Sequence, residues 1–112
     1  MGELKGKEYR RFEDIKHIRN DGSEFWSARE LAPVLEYNKW ENFHNVIKRA
    51  MIACENSGHI IVDDFPEVRK IVSAGATSKL VKDYELTRYA CYLLVQNGDP
   101  RKEVIALGQT YF

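Results

Sequence analysis

The sequence lacks a long hydrophobic run. Its longest one, Tyr89–Val95, has seven residues, whereas a membrane-spanning helix needs about 20. No apolar stretch follows the charged N-terminus, as one does in a secretory signal. Only two cysteines are present, Cys54 and Cys91, and both lie in apolar helical patterns, which is typical of buried, reduced side chains. These absences favour a cytoplasmic protein with no membrane association.

Motifs that bind a metal or a phosphate group are also missing. The cysteines and the three histidines (His17, His44 and His59) have none of the spacings of a zinc site. The glycines fit neither the GxGxxG pattern nor the phosphate-binding loop of nucleotide hydrolases. The sequence therefore predicts no enzyme activity, no metal, no cofactor and no small-molecule substrate.

The charges balance in total but not along the chain. The 112 residues include 17 basic and 17 acidic side chains, and 44% of the residues are hydrophobic, enough for the core of one domain. A neutral total excludes a strongly basic nucleic-acid binder. Residues 69–89, however, carry a net charge of +3, from five cations against two carboxylates. A locally positive face is therefore compatible with the neutral total.

Turn and strand signals divide the N-terminal part. Residues 1–8 are polar and aperiodic, which predicts a flexible tail. Residues 12–18 are compatible with either a strand or a helix. Asn20–Ser23 contains an Asp-Gly pair, which predicts a hairpin turn, and a short strand through Phe25 and Trp26 follows it.

Four helices have N-cap signals. They are expected to begin at Ser27, Asn38, Thr87 and Asp99. The first two caps are followed three residues later by glutamate, the capping-box pattern. The third helix is apolar nearly all round, which places it at the centre of the core. The predicted core residues are Trp26, Leu31, Trp40, Phe43, Ile47, Cys91, Leu94 and Ile105.

A second hairpin is predicted between the second and third helices. Residues 67–72 and 80–86 alternate between two faces. The connection 73–78 consists of small residues, and its length predicts a mobile tip. The fold class is therefore α+β, with about four helices and two short β-hairpins in a single domain, 9–112.

The C-terminal helical pattern runs to Phe112 without a stop signal. We interpret the sequence as the N-terminal fragment of a longer protein. Leu107, Tyr111 and Phe112 form an apolar end, which supports one functional hypothesis: a protein-interaction or dimerisation module with no direct DNA contact.

The other hypothesis is nucleic-acid binding through the second hairpin. Its cations are able to reach phosphate groups, and cations on the second helix extend the patch if that helix lies alongside. The candidate residues are Arg69, Lys70, Lys79, Lys82, Lys48 and Arg49. The structural alternative is that lysines keep an edge hairpin soluble by opposing strand addition.

Long contiguous strings resemble a known family. They are RELAPVLEYNKWENFHNVI (29–47), ACENSG (53–58), DDFPEVRKIV (63–72) and DYELTRYACYLLVQNGDPRKEVIALGQTYF (83–112). They are similar to the bacterial DNA-damage-inducible D family, over about residues 12–112. That family is similar in turn to the BRO N-terminal domain of viral and phage proteins.

The resemblance implies an α+β module that is associated with DNA and induced in the SOS response. It further implies negative modulation of RecA recombinase filaments on single-stranded DNA. The expected partners are therefore single-stranded DNA or DNA-bound RecA recombinase, with a homodimer as a further possibility. No catalytic or DNA-contacting residue follows from the resemblance.

Overall fold

The computed structural model describes residues 9–112, and of Ala74 it describes the backbone alone. The predicted flexible tail, 1–8, lies outside the described residues. The helices are α1 (Arg10–Asp14), α2 (Ala28–Val34), α3 (Trp40–Asn56), α4 (Ile61–Asp64), α5 (Arg88–Gln96) and α6 (Glu103–Tyr111). The strands are β1 (Lys16–Ile18), β2 (Glu24–Ser27), β3 (Glu67–Ala74) and β4 (Thr77–Leu86).

The two predicted hairpins form one antiparallel sheet, in the order β1-β2-β4-β3. β2 joins them by pairing Trp26 with Leu86 and Ser27 with Glu85. The predicted α+β class is confirmed. The described residues contain more helices than the four expected, because α1 and α4 are additional helices of five and four residues. The ambiguous segment 12–18 is divided between the end of α1 and all of β1.

The caps of α2 and α5 are as predicted. The Ser27 hydroxyl accepts a hydrogen bond from the Glu30 amide at 3.4 Å, and the Thr87 hydroxyl accepts one from the Ala90 amide at 3.1 Å. The reciprocal half of the first capping box is absent among the described contacts, because the Glu30 carboxylate binds His17 instead. Each cap satisfies an amide that has no partner inside its helix.

Two other helix starts were predicted wrongly. Residue 38 is not the cap of α3, which begins after Lys39 without a side-chain cap. The Asp99 carboxylate accepts from the Arg101 amide at 3.0 Å, but the residues that follow form a turn, and α6 starts only at Glu103. The aspartate therefore stabilises the turn that leads into α6, since this side chain caps turns as readily as helices.

The hairpin connection is shorter than predicted. β3 and β4 continue through Ser73↔Ser78 and Ala74↔Thr77, which leaves two turn residues in place of the six of the predicted connection. Gly75 has a φ of +66°, the conformation that a two-residue hairpin turn requires of its first residue in the II′ class. The small residues 73–78 are therefore mostly strand, and the glycine alone carries the turn signal.

The core lies between the sheet and the longer helices, with α5 at its centre, as predicted. Five of the nine residues of α5 are buried, and α5 packs against both α3 and α6. All the predicted core residues are buried except Trp40, which is partly buried against the core. Large buried residues that the sequence did not single out are Phe12, Leu35, Phe65, Tyr84 and Leu86.

The apolar C-terminal end packs against its own domain. The ring of Tyr111 stacks on Phe12 at 5.0 Å between centroids, and Phe112 contacts the edge of Trp26 at 5.1 Å. The Arg88 guanidinium donates to the Tyr111 carbonyl at 3.1 Å. These side chains, which the sequence suggested for a partner surface, are thus engaged inside the fold.

Candidate nucleic-acid interface on the β3–β4 hairpin

The outer part of the β3–β4 hairpin extends beyond the core as a two-stranded ribbon. Residues 69–82 are named the arm here. Residues 71–73 and 75–80 are all exposed, so the outer arm meets solvent on both of its faces. Its inner end is anchored, because Asp83 and Tyr84 are buried. The domain thus holds a rigid base from which the arm projects.

The arm carries charge of one sign only. Its four charged residues are Arg69, Lys70, Lys79 and Lys82, and it contains no aspartate or glutamate. The nearest carboxylates in sequence are Glu67 and Asp83, one on each strand just inside the arm. A projecting element with this charge distribution attracts polyanions.

Cross-strand register divides the arm into two faces. Opposite residues of an antiparallel pair share a face, and the pairs Glu67↔Tyr84, Arg69↔Lys82 and Ile71↔Leu80 therefore make one face. This is named the tyrosine face. The aspartate face holds the pairs Val68↔Asp83, Lys70↔Val81 and Val72↔Lys79. The four cations of the arm are thus shared equally between two opposite faces.

Asp83 fixes the base of the aspartate face. Its carboxylate is fully buried. One oxygen accepts from the amides of Arg29 and Tyr84 at 2.9 and 2.8 Å. The other accepts from the Ser27 hydroxyl at 2.6 Å and from the Lys70 ammonium at 2.8 Å. Burial raises the pKa of Asp83, but the hydrogen bonds from Lys70, Ser27 and the two amides outweigh it, and the pKa is lowered.

Glu67 neutralises the base of the tyrosine face only loosely. Its carboxylate lies 3.6 Å from the Arg69 guanidinium and 3.5 Å from the Lys82 ammonium. Both cations remain partly exposed, and ion pairs of this kind contribute about 0 to 1 kcal/mol. Arg69 and Lys82 are therefore able to exchange this carboxylate for a phosphate at little cost.

An aromatic cluster joins the tyrosine face to α3. The His44 Nε2 atom lies 3.0 Å from the Tyr84 hydroxyl, and the imidazole stacks on Trp40. The Arg29 guanidinium lies 4.0 Å above the Trp40 ring. Burial lowers the pKa of His44, and the nearby charges of Lys48 and Lys82 lower it further. A neutral imidazole therefore sits among cations at this end of the arm.

The structure places the six candidate cations in three locations. Arg69 and Lys82 lie on the tyrosine face. Lys48 lies close to them, because the charges of Lys48 and Lys82 both lower the pKa of His44. Lys70 and Lys79 lie on the aspartate face.

Arg49 belongs to neither group. It follows Lys48 in α3, and its charge opposes the rise in the pKa of Tyr37 that burial causes. The candidates therefore do not form one continuous patch. They form a positive arm with two faces, an extension through Lys48, and one separate arginine.

Lys79 is the cation of the arm that is most available to a ligand. It is exposed near the turn, opposite Val72, and forms no ion pair with any residue between 9 and 112. Lys70, in contrast, is held by the buried Asp83. Lys70 is therefore bound within the structure, whereas the ammonium group of Lys79 faces solvent without a carboxylate partner among the described residues.

Sequence reasoning missed Asp83, Arg29 and the apolar residues of the arm. The alternation of β4 places Asp83 on a face with Val81 and Val68, and a carboxylate among apolar neighbours is a signal for a buried ion pair. Arg29 has no such signal, because its stacking on Trp40 joins two separate helices.

Metal ligands do not cluster in the part of the chain that the structure describes. No group of three histidine, cysteine, aspartate or glutamate side chains there is arranged to hold an ion. Cys54 and Cys91 are buried free thiols, and burial raises the pKa of both. No helix within residues 9–112 has the length and apolar character to cross a membrane.

Comparisons with known proteins identify the family of the chain. Residues 14–112 match the model of the BRO family, N-terminal domain. The chain is 55% identical over 102 residues, 90% of its length, to "DNA damage-inducible protein D" of Escherichia coli strain K12. It spans 37% of the length of that relative. No solved structure matches. The chain therefore belongs to the BRO family, and residues 14–112 are its BRO N-terminal domain.

Proposed function

We propose that the chain is a non-enzymatic module of the bacterial DNA-damage response. In this proposal it binds single-stranded DNA through the arm and thereby inhibits RecA recombinase filaments. The name of the Escherichia coli relative supports the link to DNA damage. The charge and exposure of the arm support the contact with DNA.

The charge and exposure of the arm are the physical support for the proposal. It has four cations and no carboxylate within residues 69–82, although the chain as a whole is neutral. Its outer part is exposed on both faces. Two-stranded ribbons of this kind enter nucleic-acid grooves or lie along a strand, and cationic side chains then contact phosphate groups.

The division of the cations between two faces has a functional consequence. A ribbon with cations on both faces is able to contact phosphates on either side of itself, whereas a one-faced patch contacts one line of phosphates. Lys79 on one face and Lys82 on the other are therefore the two side chains that we expect to touch DNA. Arg69 and Lys48 add to the contact beside Lys82.

Inhibition of the recombinase follows by competition. A recombinase filament needs the backbone of the single strand, and an arm that occupies those phosphates withholds them. A direct contact with the DNA-bound recombinase is the alternative. Pull-down of preformed recombinase filaments on single-stranded DNA with the chain separates the two. Competition predicts that the chain retains DNA from which recombinase is displaced, whereas direct contact predicts that recombinase is retained together with the DNA, also by the Lys79→Gln/Lys82→Gln variant.

The test of DNA contact is a fluorescence-anisotropy titration with a single-stranded oligonucleotide at several salt concentrations. The variant Lys79→Gln/Lys82→Gln should bind more weakly. The slope of log affinity against log salt should fall by about 1.4, since each phosphate contact on a single strand contributes about 0.7. Glutamine is used because glutamate at position 82 would be repelled by Glu67.

The matched control is Arg10→Gln/Arg11→Gln. These exposed arginines of α1 give the same change in total charge away from the arm. If both double variants lose the same affinity and slope, binding is a property of total charge, and the arm is not the interface. A wild-type chain that does not bind, yet is a dimer by light scattering, would instead favour a dimerisation module without DNA contact.

A further inference from the structure

Two large aliphatic side chains lie exposed in the middle of the positive arm. Ile71 and Leu80 are register partners on the tyrosine face, and 73% and 64% of their surfaces are exposed. Arg69↔Lys82 is the next pair inward on this face, and Ser73↔Ser78 is the next pair outward. The pair therefore forms a small apolar platform between cations and hydroxyl groups.

The platform is not explained by folding. Every predicted core position lies elsewhere, and Ile71 and Leu80 do not belong to the core cluster. Single exposed aliphatic residues are ordinary on protein surfaces. Two of them side by side on a projecting hairpin are a liability, because an exposed apolar ribbon promotes aggregation. A ligand that covers them removes that liability.

The chemistry around the platform selects the ligand. Two residues along a strand span about 7 Å, so the platform and the Arg69↔Lys82 pair fit against the same short segment of a partner. The arm contains no carboxylate, so the partner is anionic. A ligand with regularly spaced anions and exposed apolar faces between them matches both features, and single-stranded nucleic acid has this structure.

We propose that Ile71 and Leu80 contact the faces of unpaired bases while Arg69 and Lys82, on the same face, contact the flanking phosphates. This inference rests on the proposed function and adds the class of DNA: a strand whose bases are unstacked. Apolar side chains that insert between bases have the same physical role in proteins that unstack a duplex. Contact with bases, unlike contact with phosphates, does not depend on released counterions.

The test compares two kinds of variant on two kinds of strand. The variant Ile71→Thr/Leu80→Thr places β-branched residues, which are favourable in strands, at both positions and removes the platform. Its matched control is Val72→Thr, an exposed position of the opposite face. Each protein is titrated with an oligothymidine and with a strand of equal length in which abasic sites replace the central bases. Circular dichroism melting confirms that each variant is folded.

We expect the Ile71→Thr/Leu80→Thr variant to bind oligothymidine about tenfold more weakly with an unchanged salt slope. It should bind the abasic strand as the wild-type chain does, because the bases that the platform contacts are already gone. Val72→Thr should bind both strands like the wild type. Leu80→Thr alone should lose part of the affinity, which provides a second variant if the double variant is unstable.

Several results would overturn the inference. One is an equal loss on the two strands, and another is a change in salt slope for the threonine variant. A further one comes from the wild-type chain titrated with a duplex of equal length: tighter binding to that duplex than to oligothymidine. If the threonine variant binds normally while Lys79→Gln/Lys82→Gln does not, the platform proposal fails and the DNA-binding arm stands. If neither variant differs from the wild type, both proposals fail.

Discussion

The buried carboxylate of Asp83 should contribute more to stability than its partner Lys70. Asp83 accepts four hydrogen bonds from three strands and the start of α2. In Asp83→Asn, one oxygen is kept for the two amides, but an amide NH₂ group replaces the oxygen that faces Lys70 and Ser27. The NH₂ group of the asparagine then faces the Lys70 ammonium group, and neither is able to accept a hydrogen bond from the other.

The expected loss in the free energy of unfolding depends on how far the remaining partner is exposed to water. Removal of one partner from a fully buried ion pair costs about 3 to 5 kcal/mol. The Lys70 side chain is 42% exposed and regains water when the carboxylate is lost, so we expect Asp83→Asn to cost about 2 to 3 kcal/mol. Lys70→Met leaves three donors on the carboxylate and should cost about 1.5 kcal/mol, the lower end for a hydrogen bond to a charged group. The double variant should cost little more than Asp83→Asn alone.

Urea denaturation followed by tryptophan fluorescence at pH 7 measures these free energies. The pKa of Asp83 is lowered in the folded state, so its stabilising effect is complete above the unfolded pKa of about 3.9. The effect is lost as the pH falls through the folded pKa. The advantage of wild type over Asp83→Asn should therefore shrink below about pH 4. If Lys70→Met costs as much as Asp83→Asn, or if their effects add, the carboxylate is not the centre of this network.

Two further predictions concern the core. Leu94→Ala should lower the free energy of unfolding by about 2 to 5 kcal/mol, because it leaves a cavity under α5. Ile52→Ala, at a position that is 60% exposed, should change it by less than about 0.5 kcal/mol. Urea denaturation gives both values, and equal costs would contradict the placement of α5. Gly108→Ala should destabilise by about 1 kcal/mol even though alanine favours a helix by about that amount, because a Cβ atom there would lie 2.8 Å from Val95 Cγ1. In a Val95→Ala background the same substitution should become neutral or stabilising in thermal melts, and an unchanged sign would show that the contact with Val95 is not the cause.

Local signals predicted much of the fold. The hydroxyl caps at Ser27 and Thr87 were predictable because each accepts a hydrogen bond from an amide three residues later in the chain. The alternation in β3 and β4 predicted their faces correctly, since side-chain direction in a strand has a fixed period of two. The apolar run in α5 predicted its central position because no polar face was left for solvent.

Structural features that local sequence patterns do not determine were not predicted. Residues 73–78 are all small, and their continuation of the strands depends on cross-strand pairing. Asp99 followed by Pro100 has the pattern of a helix start, but the chain forms a turn there. The union of the two hairpins through Trp26↔Leu86 joins residues sixty positions apart, and no local pattern carries that information.

The candidate site shows the same limit. The sequence selected this hairpin for its charge, but it treated the four cations of the arm as equivalent. Their difference comes from Asp83 and Glu67, which hold Lys70 firmly and Arg69 and Lys82 loosely. Lys79 stands apart because the register places it near the turn, beyond the reach of both carboxylates.

The most direct test of the proposed contact between the arm and DNA is a nitrogen-15 NMR titration of the chain with a short oligothymidine. The account predicts that amide shifts change within residues 69–82 and at Lys48, while α1 and α6 keep their positions in the spectrum. Shift changes that centre on α1, α6 or the exposed face of Ile52 and leave the arm untouched would contradict it.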